Sequence, residues 1–156
     1  MNYQFSPIQN KAALTQAVVY VAEHSSQMCE RIIGKTLPIH TLTVFTHTDI
    51  EFEQLKSVLA TMGTPYNENN GPRVTLHESI TVGNNTITHL RIRHPDLERP
   101  QVGCNDFDVE NYETFKSEYL AKHPENLVLI KRPEYEMIEI RHPDFDVLAY
   151  IVSKKD

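Results

Sequence analysis

The stretch HTLTVFTHTDIEFEQLKSVLATMG, residues 40–63, decides the fold. Its opening part, HTLTVFT (40–46), is rich in β-branched and aromatic side chains and predicts a strand. Thr48 or Asp49 can then cap a helix that ends at Gly63. The apolar residues of that helix recur at helical spacing, namely Phe52, Leu55, Leu59 and Met62. The stretch therefore predicts a strand followed directly by a helix.

The residues after this helix predict further strands. RVTLHESITV (73–82) and NNTITHLRIR (84–93) flank the turn signal VGNNT and predict a hairpin. A third short strand is expected in PYNENNGPR (65–73). The first half of the chain thus reads as strand, helix and strands.

The second half repeats this order. QVGCNDFDV (101–109) predicts a strand, and NYETFKSEYLAKHP (111–124) predicts a helix capped by Asn111 and ended before Pro124. Three more strands are predicted, in NLVLIKR (126–132), YEMIEIR (135–141) and VLAYIVS (147–153).

Two short sequence matches favour a duplicated βαβββ unit. IRHPD occurs at positions 92–96 and again at 140–144, and FEQLKS (52–57) is matched by YETFKS (112–117). On this hypothesis the IRHPD copies mark corresponding strand exits. Because the helix match is the more widely separated of the two, the first unit would carry an insertion, most easily in a long hairpin between Met62 and Ile92. The alternative is that HPD is only a turn in which proline fixes φ.

The residues before the first strand predict a helical segment over residues 1–36. Apolar residues recur at helical spacing from Pro7 to Ile33, either in one long helix or in two short ones separated at HSSQ (24–27). Gly34 and Pro38 end the helical region.

His47, at the end of the first strand, is expected on a surface loop.

Composition and charge exclude several classes of function. The chain has 156 residues with 40% hydrophobic residues, and no apolar run is long enough to span a bilayer. The net charge is −6, and carboxylates are interleaved with Arg91, Arg93 and Arg99, which argues against nucleic acid. Cys29 and Cys104 form neither a disulfide framework nor a zinc-ribbon spacing. Because the start of the chain lacks a secretory signal pattern, we expect a soluble cytoplasmic protein with no membrane or nucleic-acid partner.

Three segments resemble the vicinal oxygen chelate superfamily, which includes glyoxalase I, bleomycin-resistance proteins and extradiol dioxygenases. They are IHTLTVFTHTD (39–49), CNDFDVENYETF (104–115) and IEIRHPDFDVLAYI (138–151). The resemblance implies an α+β fold in which two βαβββ modules, residues 37–98 and 99–156, form a curved mixed sheet around a cleft, preceded by N-terminal helices. It also favours a homodimer.

The resemblance further implies a divalent metal (Zn, Ni, Mn or Fe) held in the cleft. The family's ligand positions fall on His40 in the first strand, on His89 in the last strand of the first module, and on or near Cys104 in the second module. The closing-strand position falls on Ala149, which cannot ligate, so Glu139 on the neighbouring strand is the substitute. The implied ligands are therefore His40, His89, Glu139 and Cys104, with Arg91 binding an anionic group of the substrate.

Two functions stay open on this evidence. One is a metal-dependent isomerase, lyase or oxygenase acting on a small oxygenated substrate. The other is a metal-free, non-catalytic member of the fold that binds a small molecule or its own copy, or has a structural role. The pair His40 and His89 favours the first, and Ala149 favours the second. Four of the candidates also have a structural alternative: His40 as a core histidine, His89 on a solvated edge, Cys104 as a small buried hydrophobe, and Arg91 in a surface ion-pair network.

Overall fold

The computed structural model describes residues 5–67 and 71–154 and is an α+β fold of three α-helices and one eight-stranded mixed sheet. The helices are α1 (Lys11–Ile33), α2 (Asp49–Ala60) and α3 (Tyr112–Tyr119), the last followed by a short 3₁₀ turn at Leu120–Lys122. The strands are β1 (Ile39–Phe45), β2 (Gly63–Pro65), β3 (Arg73–Val82), β4 (Asn85–Arg93), β5 (Gly103–Phe107), β6 (Leu127–Lys131), β7 (Glu136–Ile140) and β8 (Val147–Val152). The extra short strand expected in PYNENNGPR is β2, which begins two residues before that stretch and ends at Pro65. Residues 68–70 of the stretch lie outside the described residues.

The N-terminal segment forms one continuous helix rather than two. The side chain of Asn10 caps α1 by accepting a hydrogen bond from the Ala13 N–H, and Gly34, with φ of 81°, ends it in the left-handed region. The expected break at HSSQ does not occur. Ser25 is buried inside the helix, and its hydroxyl donates to the Ala22 carbonyl one turn earlier, which satisfies it without interrupting the helix.

Helices α2 and α3 begin in the same way. The side chains of Thr48 and Asn111 each accept a hydrogen bond from a backbone N–H in the first turn. One turn after each cap stands a buried phenylalanine, Phe52 or Phe115. Phe52 and Phe115 thus occupy equivalent positions in the two helices. The match of FEQLKS with YETFKS instead aligns Phe52 with Tyr112. The sequence match is therefore displaced by nearly one helical turn from the structural equivalence.

The strand order is β2-β3-β4-β1-β5-β8-β7-β6. Within the first half β1 pairs in parallel with β4, and within the second half β5 pairs in parallel with β8. The halves meet where β1 and β5 pair antiparallel at the centre of the sheet. The first four strands therefore follow the same neighbour sequence outward from the centre as the last four.

The strand positions show that the IRHPD copies are not equivalent. Strands at the same place in the two halves are offset by a nearly constant stretch of chain, as their first residues show: Ile39 and Gly103 for β1 and β5, Arg73 and Glu136 for β3 and β7, Asn85 and Val147 for β4 and β8. The first IRHPD ends β4, the last strand of its half, whereas the second ends β7, the third strand of its half. The prediction that the copies mark corresponding strand exits is therefore wrong, and so is the insertion drawn from it.

All three helices pack on one face of the sheet. Apolar residues of α1, α2 and α3 share one buried cluster with Leu42, Leu90 and Ala149, among other strand residues. At the centre, Gly103 on β5 is crowded by α1 and by β1: an added Cβ would lie 3.0 Å from Val21 Cγ2 on α1 and 2.3 Å from the Thr43 carbonyl oxygen on β1. Within the described residues the opposite side of the sheet carries no helix, and it is called the helix-free face below.

The segment before α1 is fastened to α2 through a buried carboxylate. Glu51 accepts hydrogen bonds from the backbone N–H of Ile8 at 2.6 Å and of His47 at 2.7 Å. The Ser6 hydroxyl lies 3.1 Å from the same carboxylate and 2.7 Å from His47 Nδ1. His47 is therefore buried in this network, and the expectation that it lies on a surface loop is wrong.

Among the described helices, none combines the length and the apolar composition needed to cross a membrane.

Candidate functional site

A row of side chains crosses the helix-free face from one half of the sheet to the other. Directly opposite residues on neighbouring strands point to the same face, so the register places them side by side. The row, called the central row, consists of Thr75, His89, Thr41, Asp106, Tyr150 and Glu139, on β3, β4, β1, β5, β8 and β7. Two of the predicted ligands, His89 and Glu139, belong to this row.

His89 and Glu139 stand far apart in it. Four strand spacings separate β4 from β7, which at about 4.8 Å each amounts to about 19 Å along the sheet. A single metal ion at about 2 Å from each ligand cannot bridge that distance along the sheet.

A second row, called the arginine row, lies beside the central row. It consists of Arg73, Arg91, Thr43, Cys104 and Leu148. Arg91 Nη1 lies 3.6 Å from Asp106 Oδ2, which joins the two rows. The predicted substrate-binding residue Arg91 therefore faces the helix-free side, as does His89 on the same strand, while Leu90 and Ile92 pack under the helices.

The side chain of His40 is exposed and paired with a carboxylate. A bulge in β1 between Ile39 and Thr41 interrupts the register there. The side chain of His40 is 53% exposed, and its Nδ1 pairs with the Asp108 carboxylate. His40 is therefore not a core histidine, and its backbone lies near His89, because the Thr88 hydroxyl contacts both the His40 carbonyl and His89 Nδ1.

Cys104 belongs to a small apolar cluster on the helix-free face with Phe45, Leu148 and Tyr150. Burial, and after it the charge of Asp106, raises the pKa of the Cys104 thiol to about 12, against the opposing effects of Thr43 and two arginines. The thiol therefore stays protonated at neutral pH. A protonated thiol is a poor nucleophile, so Cys104, packed among apolar neighbours, fits its structural alternative as a small buried hydrophobe.

Glu139 is buried and already has partners. Its side chain is 3% exposed, Oε1 lies 2.5 Å from Arg99 Nη1, and the same oxygen accepts a hydrogen bond from the Tyr150 hydroxyl at 2.9 Å. Burial opposes the charge on Arg99, but Tyr150 and Glu139 outweigh it and raise the pKa of the guanidinium. Burial is also the main cause that raises the pKa of Tyr150. The three residues form a closed, hydrogen-bonded group.

Arg99 and Tyr150 were not among the site residues predicted from the sequence. Arg99 lies in the loop between β4 and β5, where no periodic pattern indicates what a side chain contacts. Tyr150 could have been found from strand alternation, because Ala149 faces the helices and its neighbour must face the other side. On the closing strand, Tyr150 therefore faces the helix-free side, whereas Ala149, the residue at the implied ligand position, packs under the helices.

The described residues do not fit the metal that the resemblance implies. Within residues 5–67 and 71–154, no three His, Cys, Asp or Glu side chains lie close enough together to hold an ion. His40 is paired with Asp108, Cys104 is packed in an apolar cluster, and Glu139 is held by Arg99 and Tyr150. The face also carries the polar side chains of Arg73, Arg91 and His89, of which Arg91 pairs with Asp106 and His89 contacts the Thr88 hydroxyl.

Comparisons with known proteins report on the fold alone. No protein-family model and no curated protein matches the chain. Among solved structures, the chain is similar to one described as "Structural Genomics, Protein EC4020", with a TM-score of 0.65 and 14% sequence identity over 99% of this chain and 92% of that chain. At that identity the similarity supports the α+β architecture along the whole chain and says nothing of function.

Proposed function

We propose that this chain is a glyoxalase-like protein of two βαβββ modules that binds a small oxygenated molecule on its helix-free face without a resident metal ion. The module assignment is supported by the matching strand order of the halves and by the nearly constant offset between the paired strands compared above. In this fold the sheet curves, and the helix-free face becomes the wall of a cleft.

The chemistry of the central and arginine rows carries the proposal. The candidate metal ligands are paired, packed in an apolar cluster or remote from one another, whereas the guanidinium of Arg91 and the imidazole of His89 lie together on the helix-free face. Guanidinium and imidazole N–H groups recognise hydroxyl, carbonyl and carboxylate oxygens by hydrogen bonding and need no metal to do so. Binding without catalysis is thus the function that these side chains support best.

The test measures metal and ligand on the same preparation. Protein is purified without chelators, its metal content is determined by ICP-MS, and its melting temperature is followed with a panel of small hydroxy, keto and carboxylic compounds, with and without EDTA. We expect a metal content far below stoichiometric and a ligand-induced rise in melting temperature that EDTA leaves unchanged.

Arg31 supplies the matched control. It lies at the end of α1, is exposed and pairs with Asp144, far from the rows on the helix-free face. Ligand stabilisation is expected to disappear in Arg91→Ala and to persist in Arg31→Ala. A stoichiometric metal that is lost on replacing His40 or His89 would overturn the proposal in favour of the metal-dependent enzyme.

A further inference from the structure

Strand β6 forms one edge of the sheet and, in the part of the chain that the structure describes, pairs only with β7. Two backbone hydrogen bonds just beyond its ends show which of its peptide groups face β7. The Arg132 N–H donates to the Tyr135 carbonyl at 2.8 Å, and the Arg141 N–H donates to the Asn126 carbonyl at 3.0 Å. Because bonded and non-bonded pairs alternate in an antiparallel ladder, the even-numbered residues of β6 bond to β7 and the odd-numbered residues direct their backbone groups outward.

The outward backbone groups of β6 are complementary to a second copy of the same strand. Leu129 and Lys131 each direct an N–H and a C=O outward, and Leu127 directs its C=O outward. The Leu127 N–H is already used, because it donates to the His123 carbonyl at 2.9 Å. In an antiparallel pair centred on Leu129, the two Leu129 residues would exchange hydrogen bonds. Each Lys131 N–H would meet the partner's Leu127 carbonyl, which leaves the internal bond of Leu127 intact.

The apolar side chains along β6 suit the same pairing. On the helix-free face Ile130, Met137 and Val152 are only partly buried and pack against the cluster that contains Cys104 and Tyr150. The register centred on Leu129 would place Ile130 beside the partner's Val128. The apolar surface of the second half would thus continue into that of the other copy and lose part of its contact with water.

The charges at the two ends of β6 favour the antiparallel arrangement. Lys131 and Arg132 lie at the end of the strand and Glu125 lies just before it. Glu125 and Arg132 are exposed and form no ion pair among the described residues. Antiparallel pairing would place the basic end of each copy beside the acidic end of the other, whereas parallel pairing would bring like charges together.

A lysine on an edge strand often prevents such pairing. Here the two copies of Lys131 would stand four residue spacings apart along the seam, about 13 Å, which exceeds the Debye length of about 8 Å at physiological ionic strength. The other edge of the sheet is less suitable. Strand β2 has three residues and ends at Pro65, which has no N–H to donate.

We propose that the chain forms a two-fold symmetric dimer in which β6 pairs antiparallel with β6 of a second copy, so that one sheet runs through both chains. The interface is isologous, since each strand meets the same strand of its partner. The proposal is independent of ligand binding on the helix-free face, because it rests on backbone groups at the edge of the sheet.

The test compares two replacements of one exposed side chain. Sedimentation of the full chain between about 1 μM and about 500 μM should show a reversible monomer–dimer equilibrium. Lys131→Pro removes an outward N–H and leaves the bonds to β7 in place. Because the dimer then loses two hydrogen bonds, its affinity should fall about hundredfold. Lys131→Ala removes the same side chain but keeps the N–H, so its affinity should stay within about threefold of that of the natural chain.

Amide hydrogen exchange on the natural chain covers the case in which Lys131→Pro disturbs the fold. The amides of Leu129 and Lys131 should exchange more slowly at the highest protein concentration than at the lowest. Gly63 on β2, at the other edge, should exchange at the same rate throughout. A chain that stays monomeric, a dimer without added protection at Leu129 and Lys131, or an equal loss of affinity in the two variants would overturn the proposal.

Discussion

Arg99 and Tyr150 bind the same oxygen of Glu139. Arg99 Nη1 lies 2.5 Å and the Tyr150 hydroxyl 2.9 Å from Oε1. The loop that joins the two halves is thereby fastened onto β7 and β8 of the second half, where it covers the buried carboxylate. Glu139 is held as a structural anion, although its residue type and burial would suit a metal ligand.

Replacing Arg99 with alanine should therefore lower stability. The change leaves a buried carboxylate with one hydroxyl donor and with Arg141 4.0 Å from its second oxygen. Breaking such a pair typically costs several kcal/mol, and since Arg99 is partly exposed we expect about 2 kcal/mol in urea unfolding. The control is Glu98→Ala on the exposed neighbour, expected to change little. Equal stability of both variants would contradict a structural part for the pair.

The thiols should make the protein sensitive to alkali. Burial raises the pKa of both Cys29 and Cys104 to about 12, against about 8.5 in an unfolded chain. The unfolded state then loses these protons first, so their contribution to stability is complete below about pH 8.5 and is lost as the pH rises towards about 12.

The measurement is a series of urea unfolding curves between about pH 8 and pH 11. A Cys29→Ala, Cys104→Ala double variant should lose stability less steeply with pH than the natural chain. A thiol reagent at about pH 8 should label neither cysteine of the folded protein and both after unfolding. Rapid labelling of Cys104 in the folded state would show that its thiol is accessible and ionised.

The side-chain amide of Asn105 is polar but buried. It lies on β5 facing the helices, is 1% exposed, and neither its Oδ1 nor its Nδ2 has a hydrogen-bond partner in the described residues. Asn105→Val removes the buried amide and suits a strand, so we expect a gain of about 1 kcal/mol in unfolding free energy. Asn105→Asp should do the opposite because it buries a charge. A loss of stability in Asn105→Val would show that the amide has partners in solution.

Glu51 should control the attachment of the N-terminal segment. In Glu51→Gln an amide NH₂ must face one of the N–H groups of Ile8 and His47, which costs about 2 kcal/mol and frees residues 5–9. Faster amide exchange at Ile8 and faster tryptic cleavage at Lys11 should report the release. Glu53→Gln on the exposed side of α2 is the control. Unchanged exchange at Ile8 would mean that other contacts hold the segment.

The helices and strands were predictable because their signals are local. The caps at Thr48 and Asn111, the stop at Gly34 and the alternation in β4 each depend on a few neighbouring residues. The site was not predictable to the same degree. Which side chains meet depends on cross-strand register, on the bulge beside His40, and on the loop that brings Arg99 to Glu139. Repeated pentapeptides misled the comparison of the halves because turns reuse the same residues at unrelated strand ends.

The antiparallel seam between β1 and β5 makes each half dependent on the other. In either half alone, β1 or β5 would have a neighbouring strand on one side only. The backbone N–H and C=O groups that now pair at Thr43–Cys104 and Leu42–Asn105 would then face solvent. Such an edge is a template for another strand, so an isolated half would dimerise through it or aggregate. In the present chain each half covers this edge of the other within one polypeptide.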